Sequence, residues 1–245
     1  MFNTIFVEPL YNALIFLVDI IPGGDVGFAI IILTLLVKFI LAPLHAKSIK
    51  GQFQLKQLEP KLKEIRKQFP DKKEQAAKTF ELYKQYKISP LAGCLPILIQ
   101  LPIILALYRV FLGEFNLDLH PLYSFVDRPE IFTTEFLGFL DLTAKSLALA
   151  ILAGLTQFIQ AKFSAARITV NADPDDKSMQ ANMSRMMGKQ MLYVLPIFVG
   201  VVSYQISAAI ALYWTVNNIF TTVQEIIIHK KLKNRPLIVP VEVKK

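Results

Sequence analysis

The chain has 245 residues, 53% of them hydrophobic and 19% charged, with a mean hydropathy of +0.44 and a formal net charge of +8. A soluble domain carries about 25% charged residues, and here the apolar excess is gathered in blocks, which argues against a water-soluble globule and for a polytopic membrane protein. The single cysteine, Cys94, lies in an apolar run, so there is no disulfide framework and no zinc-ligand spacing.

Residues 1–25 are apolar but interrupted by Glu8, Pro9 and Asp19. The stretch from Pro9 to Ile21 is too short to span and amphipathic enough to lie in an interface, so residues 1–25 read as an external interfacial segment. Pro22-Gly23-Gly24 ends it. A basic n-region with a cleavage site and an Arg- and Ser-rich transit pattern are both missing, so no signal peptide is expected.

Residues 26–44 form the first span. Gly27 to Leu44 is eighteen residues, about 27 Å of helix against a hydrocarbon core of about 30 Å. Lys38 sits inside it, past the middle. A cation at the centre of a span costs roughly 2.5–3.5 kcal/mol and is usually kept for a function. Two readings stay open from the residues alone: Lys38 snorkels to the inner headgroups, or it is a charge held inside one half of the membrane.

Residues 45–90 change character at once, with twelve basic residues against five acidic ones. Leu55, Leu58, Leu62, Ile65 and Phe69 make one helical seam, with a kink expected at Pro60. Pro70-Asp71 marks a turn, after which Ala76, Phe80 and Tyr83 continue a seam on a second helix. The segment reads as a basic helical hairpin. Residues 91–228 hold the remaining spans. Leu91 to Leu112 is the second, with Pro96 and Pro102 inside it. Residues 113–143 reverse the charge balance, with Glu114, Asp118, Asp127, Glu130, Glu135 and Asp141 against Arg128 alone. Ser146 to Phe163 is the third span. A polar loop, 164–190, follows, with a Met-rich helix expected around Met179 to Met187. Met191 to Ile228 is thirty-eight apolar residues, about 57 Å as one helix, so it must fold back, and Ser203 to Ser207 is the place. Residues 229–245 are a basic tail.

The Lys/Arg bias sets the orientation. With five spans, the hairpin, the 164–190 loop and the tail share the cytoplasmic side, and the acidic loop lies outside. The expected fold class is therefore all-α and polytopic: five transmembrane helices, N-terminus out and C-terminus in, with a cytoplasmic helical hairpin. On that topology Lys38, Gln100, Gln157 and Gln160 fall between the midplane and the cytoplasm. So does a stripe of Trp214, Asn217, Thr221 and Gln224 on the fifth span. Taken singly, each amide is more often interhelical glue, Trp214 a packing residue, and Arg109 an interface anchor. Jointly they suggest a hydrated cavity open to the cytoplasm and closed outside.

Several stretches carry a resemblance: IIILTLLVKFILAPL, QLEPKLKEIRKQF, YKISPLAGCLPILIQLPIILALYRVF, ILAGLTQFIQ, YVLPIFVG and ALYWTVNNIFTTVQ. Together the chain resembles the YidC/Oxa/Alb family of membrane protein insertases from residue 27 to 230. The resemblance implies a five-span core around a positively charged hydrophilic groove, open to the cytoplasm and inner leaflet. Carried over, the groove cation is Lys38, where the family pattern has arginine; lysine keeps the charge and loses the planar fork. The implied function is an insertase and folding chaperone in the bacterial plasma membrane, acting on nascent membrane proteins without a cofactor. The implied partners are the ribosome and anionic lipids, met by the basic hairpin and tail. The Sec translocon is a further partner that the resemblance allows and does not require. The alternative is a small transporter or channel with the same inward-facing cavity, although no inverted repeat or paired half-helices are visible. An enzyme has least support: His45, His120 and His229 are scattered, and there is no H-E-x-x-H and no phosphate-binding glycine loop.

Overall fold

In a computed structural model, residues 1–89, 95–112, 121–168, 186 and 188–232 are described, and their regular structure is helical apart from two strands of two residues each. A π-helical stretch, Asn3–Val7, runs straight into α1, Glu8–Ile20. The first helix therefore begins six positions ahead of the expected Pro9. Asn3–Ile20 is 18 residues, long and apolar enough to cross a membrane by length and composition.

Gly23 and Gly24, both at positive φ, turn the chain into α2, Val26–Gln57. Asp25 caps α2, its carboxylate accepting from the amides of Gly27 at 2.7 Å and Phe28 at 3.2 Å. The helix then runs unbroken through Pro43 to Gln57, so the expected boundary at residue 44 is not a structural one. Lys47, Lys50 and Lys56 ride on the same rod as Lys38. The break comes at Leu58, just ahead of Pro60, and not as a kink at Pro60. Proline stands in the first turn of α3, Glu59–Gln68, where its missing N–H has no partner to lose.

Asp71 caps α4, Lys72–Gln85, by accepting from the Lys73 amide, and Gln75 donates back to the Phe69 carbonyl at 2.6 Å to hold the turn. Leu55, Leu58, Leu62 and Ile65 close on Leu82, Tyr83, Tyr86 and Ile88. Ala76 and Phe80 do not join that seam. The register of α4 turns Leu82 and Tyr86 inward, one helical turn apart, and leaves Phe80 55% exposed beneath the Lys84 ammonium. Burial pushes the Tyr83 phenol above its ordinary value.

The bundle continues with α5, Leu95–Leu112, and α6, Leu147–Ile168. A π-helical stretch at Gln190–Val194 leads into α7, Leu195–Ile206, and α8, Ala208–Leu232, follows. The fold-back in the long apolar stretch is a single extended residue, Ser207. Val26–Gln57 and Leu147–Ser164 meet the membrane criterion that Asn3–Ile20 meets, while Leu98–Phe111 and Gln190–Ile206 are shorter apolar helices. In α8 the apolar residues are interrupted by Asn217, Asn218, Thr221, Thr222 and Gln224. Where α6 crosses α7, Gly154 faces Gly200. A Cβ on Gly154 would lie 3.7 Å from the Gly200 Cα, the small-residue contact by which membrane helices approach.

The acidic connection does more than carry charge. Its described part holds a hairpin of β1, Glu135–Phe136, and β2, Leu140–Asp141, turned by Leu137 and Gly138 at positive φ. Backbone bonds lace it to the rest: Val26 N–H to Thr133 O and Thr133 N–H to Gly24 O, both 3.0 Å, and Ala208 N–H to Ala144 O at 2.8 Å. Asn12 of α1 accepts from the Tyr123 amide at 2.7 Å and donates to the Pro121 carbonyl. The Thr143 hydroxyl and amide hold the Asp141 carboxyl below the usual carboxylate range. Under this lacing sits the main apolar core, where Tyr11, Leu14 and Ile15 meet Ile30 and Leu33 of α2, Leu107 and Val110 of α5, and Ile210 of α8. Glu114 and Asp118, most of Met179–Met187, Pro90 to Cys94 and the tail beyond Leu232 lie outside the described residues.

The Phe136 ring lies on Gly27, so tightly that a Cβ there would overlap it. Gly27→Ala should destabilise the fold by about 1–3 kcal/mol, the usual cost of overpacking. Phe136→Ala should recover part of that loss when combined with it. Thermal unfolding in detergent of both single variants and the double variant checks this; strict additivity would mean that the two residues do not touch.

Candidate functional site

Lys38 points into the bundle and is 4% exposed. Its ammonium donates to Gln100 Oε1 of α5 at 3.2 Å and to Thr221 Oγ1 of α8 at 3.1 Å. Gln100 in turn donates to the Tyr213 hydroxyl, and Thr221 donates to the Asn217 carbonyl at 2.7 Å. The snorkelling reading is thereby set aside, because the stem runs across the bundle to two other helices.

These groups belong to a cavity of about 890 Å³. Its lining is chemically mixed. α2, α6 and α8 contribute Lys38, His45, Gln157, Gln160, Asn217 and Thr221 and α5 contributes Gln100, whereas the rest of α5 and α7 contribute apolar groups such as Leu101, Leu105, Phe198 and Val202. Two buried polar atoms on this lining, His45 Nε2 and Asn217 Oδ1, have no hydrogen-bond partner among the described residues. A separate small pocket of about 10 Å³, between Leu10, Leu33 and Leu107, also touches Lys38, Gln100 and Tyr213 and has room for roughly one water.

Seven of the expected site residues line the cavity: Lys38, Gln100, Gln157, Gln160, Trp214, Asn217 and Thr221. Gln224 does not. Its amide donates to the Ala42 carbonyl of α2 at 3.0 Å, bracing the helix beside Pro43. The stripe on α8 continues from Thr221 by a step of four, to Glu225, and not by the step of three to Gln224. Glu225 was missed for that reason, although the same spacing would have found it. Tyr213 and Ser164 were also missed. On α2 the heptad steps from Lys38 to His45 and Gln52, all buried and all on the lining, form a signal that was readable in the sequence.

Across α6, Gln157 donates to Gln160 at 3.2 Å, Gln160 to the Ser164 hydroxyl at 2.8 Å, and Ser164 to Glu225 Oε1 at 2.6 Å. Asn218 donates to Thr156 at 3.4 Å, tying α8 to α6 deeper in the bundle. Arg109 lies apart from the cavity, donating to Asn3 and stacking 5.2 Å from the Phe2 ring, so it anchors the start of the first helix.

The family model described as 60Kd inner membrane protein matches residues 17–235. A protein of Oceanobacillus iheyensis named membrane protein insertase YidC is 36% identical over 236 residues, covering 94% of this chain and 84% of its own length. One of the same name from Fusobacterium nucleatum is 34% identical over 210 residues, covering 85% of this chain and 88% of its own length. A third, from Citrifermentans bemidjiense, is 31% identical over 226 residues, 91% of this chain but 36% of that longer protein.

Gln100 joins Lys38 to Tyr213, so Gln100→Leu removes a partner from both. That should cost about 1–3 kcal/mol, the penalty for leaving buried polar groups unpaired. Lys38→Leu in the same chain should recover part of it. Unfolding of the two single variants and the double variant in detergent gives the coupling, and a value near zero would mean that the contact does not contribute.

Proposed function

The chain belongs to the 60Kd inner membrane protein family, the YidC/Oxa group, and from that membership and the geometry of the cavity we propose that it is a membrane protein insertase and chaperone of the bacterial plasma membrane. The observation that carries the mechanism is a lysine held inside the bundle, on the polar flank of a large cavity whose lining is apolar elsewhere. A nascent hydrophobic segment lies against the apolar flank, and its polar tail enters the cavity. The tail then has only the remaining, closed part of the bundle's depth to cross. Lys38 draws acidic tails inward, and a membrane potential adds about 2.3 kcal/mol per charge per 100 mV.

In this reading α2, α5, α6, α7 and α8 are the spans, with the N-terminus outside and the C-terminus in the cytoplasm. The charge asymmetry of the connections supports it. α1 then lies along the outer face. Three contacts support that placement: Asn3, in the π-helical stretch ahead of α1, meets Arg109 near the end of α5, Asn12 of α1 meets the acidic connection, and the last residues of α1 turn directly into α2. The basic α3–α4 pair and the tail meet the anionic ribosome surface and inner-leaflet lipids, contacts that weaken with salt. The apolar cluster of Tyr11, Leu14, Leu33 and Val110 among the described residues favours this reading over that of a transporter, which would need a path through it.

Two experiments test this. In a Cys94→Ser background, Asp127→Cys should react with an impermeant outside reagent and Ile65→Cys should not; labelling of position 65 from outside overturns the orientation and the cytoplasmic cavity with it. In liposomes of purified protein, Lys38→Leu should insert a client with an acidic tail at least about tenfold more slowly, while the same client with a neutral tail loses much less. Lys38→Arg should retain the parent's preference. Equal insertion of both clients by parent and Lys38→Leu, at equal folded amounts, would reduce Lys38 to a structural residue.

A further inference from the structure

The hairpin in the acidic connection is charged at one end and apolar at the other. Glu135 and Asp141 face each other at the open end of the two-residue ladder, Phe136 and Leu140 pair next, and Leu137, Gly138 and Phe139 make the tip. Leu137 is 54% exposed and Phe139 78%. Leu137 stands at φ 57, a left-handed conformation that glycine or asparagine adopts at lower cost and that is rare for a bulky side chain. The turn itself gives no reason for a leucine there.

The hairpin is fixed against the first turn of α2. Thr133 O accepts from the Val26 amide at 3.0 Å, Asp25 Oδ2 accepts from the Leu137 amide at 3.3 Å, and the Phe136 ring lies on Gly27. That ring also meets Phe28 edge-on, with centroids 5.3 Å apart. The contact with Phe28 sets the side. Phe28 begins the exposed apolar stripe of α2, which continues through Ile32, Leu36, Phe39 and Ile40. In a span, that stripe is the face lipid covers. The hairpin therefore stands on the lipid-facing side of α2, level with the first residues of its apolar run.

Resting on the reading of α2 as a membrane span, we propose that the tip of the β1–β2 hairpin is a membrane anchor. Leu137 and Phe139 seat in the lipid interface at the end of the bundle where α2 begins, which is the outer leaflet in the topology above. The occupant of this surface is lipid, at the boundary between headgroups and acyl chains. Aromatic and aliphatic side chains gather at that boundary. The hairpin has the matching order of polarity, with its carboxylates at the open end and its apolar pair at the tip.

Power-saturation EPR of a nitroxide on single cysteines tests this, using full-length Cys94→Ser protein in liposomes of phosphatidylcholine and phosphatidylglycerol. Oxygen concentrates in the bilayer and a nickel chelate in water, so the oxygen-to-nickel accessibility ratio reads depth. Leu36→Cys, about 15 Å along α2 from Val26, should give the highest ratio and Asp127→Cys the lowest, with Phe139→Cys between them. Adding Leu137→Asp to Phe139→Cys should remove most of its excess over Asp127→Cys; aspartate tolerates the left-handed conformation, so the turn is kept. Leu137→Cys should repeat the intermediate ratio and decides the matter if Phe139→Cys does not fold. A tip ratio equal to that of Asp127→Cys would put the hairpin in water and overturn the proposal. So would a label shielded from both oxygen and nickel, because a second copy of the chain, and not lipid, would then cover the tip. A Leu36→Cys ratio as low as that of Asp127→Cys would instead refute the membrane placement of α2, on which the proposal rests.

Discussion

Burying an ammonium in a membrane bundle is the constraint on which the arrangement of helices depends. An unpaired charge there would be intolerable, so Lys38 needs oxygen atoms, and Gln100 of α5 and Thr221 of α8 bring them. Neither helix is adjacent to α2 in sequence. Three distant segments are thus held in register at one depth by a single side chain, and Tyr213 extends the tie through Gln100. The apolar core on one side of that depth and the cavity on the other are two consequences of the same tie. The core closes where no polar group needs a partner, and the bundle stays open where several do.

In the proposed function the two kinds of lining would divide the handling of an amphipathic guest. α7 and most of α5 present leucine, phenylalanine and valine, while Gln100 of α5 joins the lysine, amides, hydroxyls and carboxylate of α2, α6 and α8. The polar groups are tied mostly to one another, which keeps their positions fixed and limits the reorganisation a guest would impose. Two atoms without a hydrogen-bond partner among the described residues, His45 Nε2 and Asn217 Oδ1, are on the polar flank.

Much of this was legible in the sequence because membrane depth turns position along a helix into a coordinate. Lys38, Gln100, Gln157 and Thr221 could be placed at similar depths from span boundaries alone, and they do meet on one cavity. What failed was rotation about the helix axis. A step of three and a step of four look alike in a stripe, yet they separate Gln224, bound to the α2 backbone, from Glu225, on the cavity lining. The same ambiguity put Phe80 in a seam that Leu82 and Tyr86 form. The lacing of the acidic connection was invisible for a different reason: its bonds are mostly from backbone to backbone, and their side-chain signature is confined to Asn12, Asp25 and the glycines at 24 and 27.

The continuity of α2 has a mechanical meaning. A helix of 32 residues is about 48 Å long, and it carries the buried lysine partway along and the basic α3–α4 pair at its far end. Such a rod acts as a lever with its fulcrum where Lys38 is clamped. A tilt of about 10° there would swing Gln57 through about 5 Å at 1.5 Å rise per residue. The converse also holds: a load on the α3–α4 pair is felt as torque on the contacts of one ammonium. Pro43, braced from α8 by Gln224, lies between load and fulcrum, where stiffness decides how much of that torque arrives.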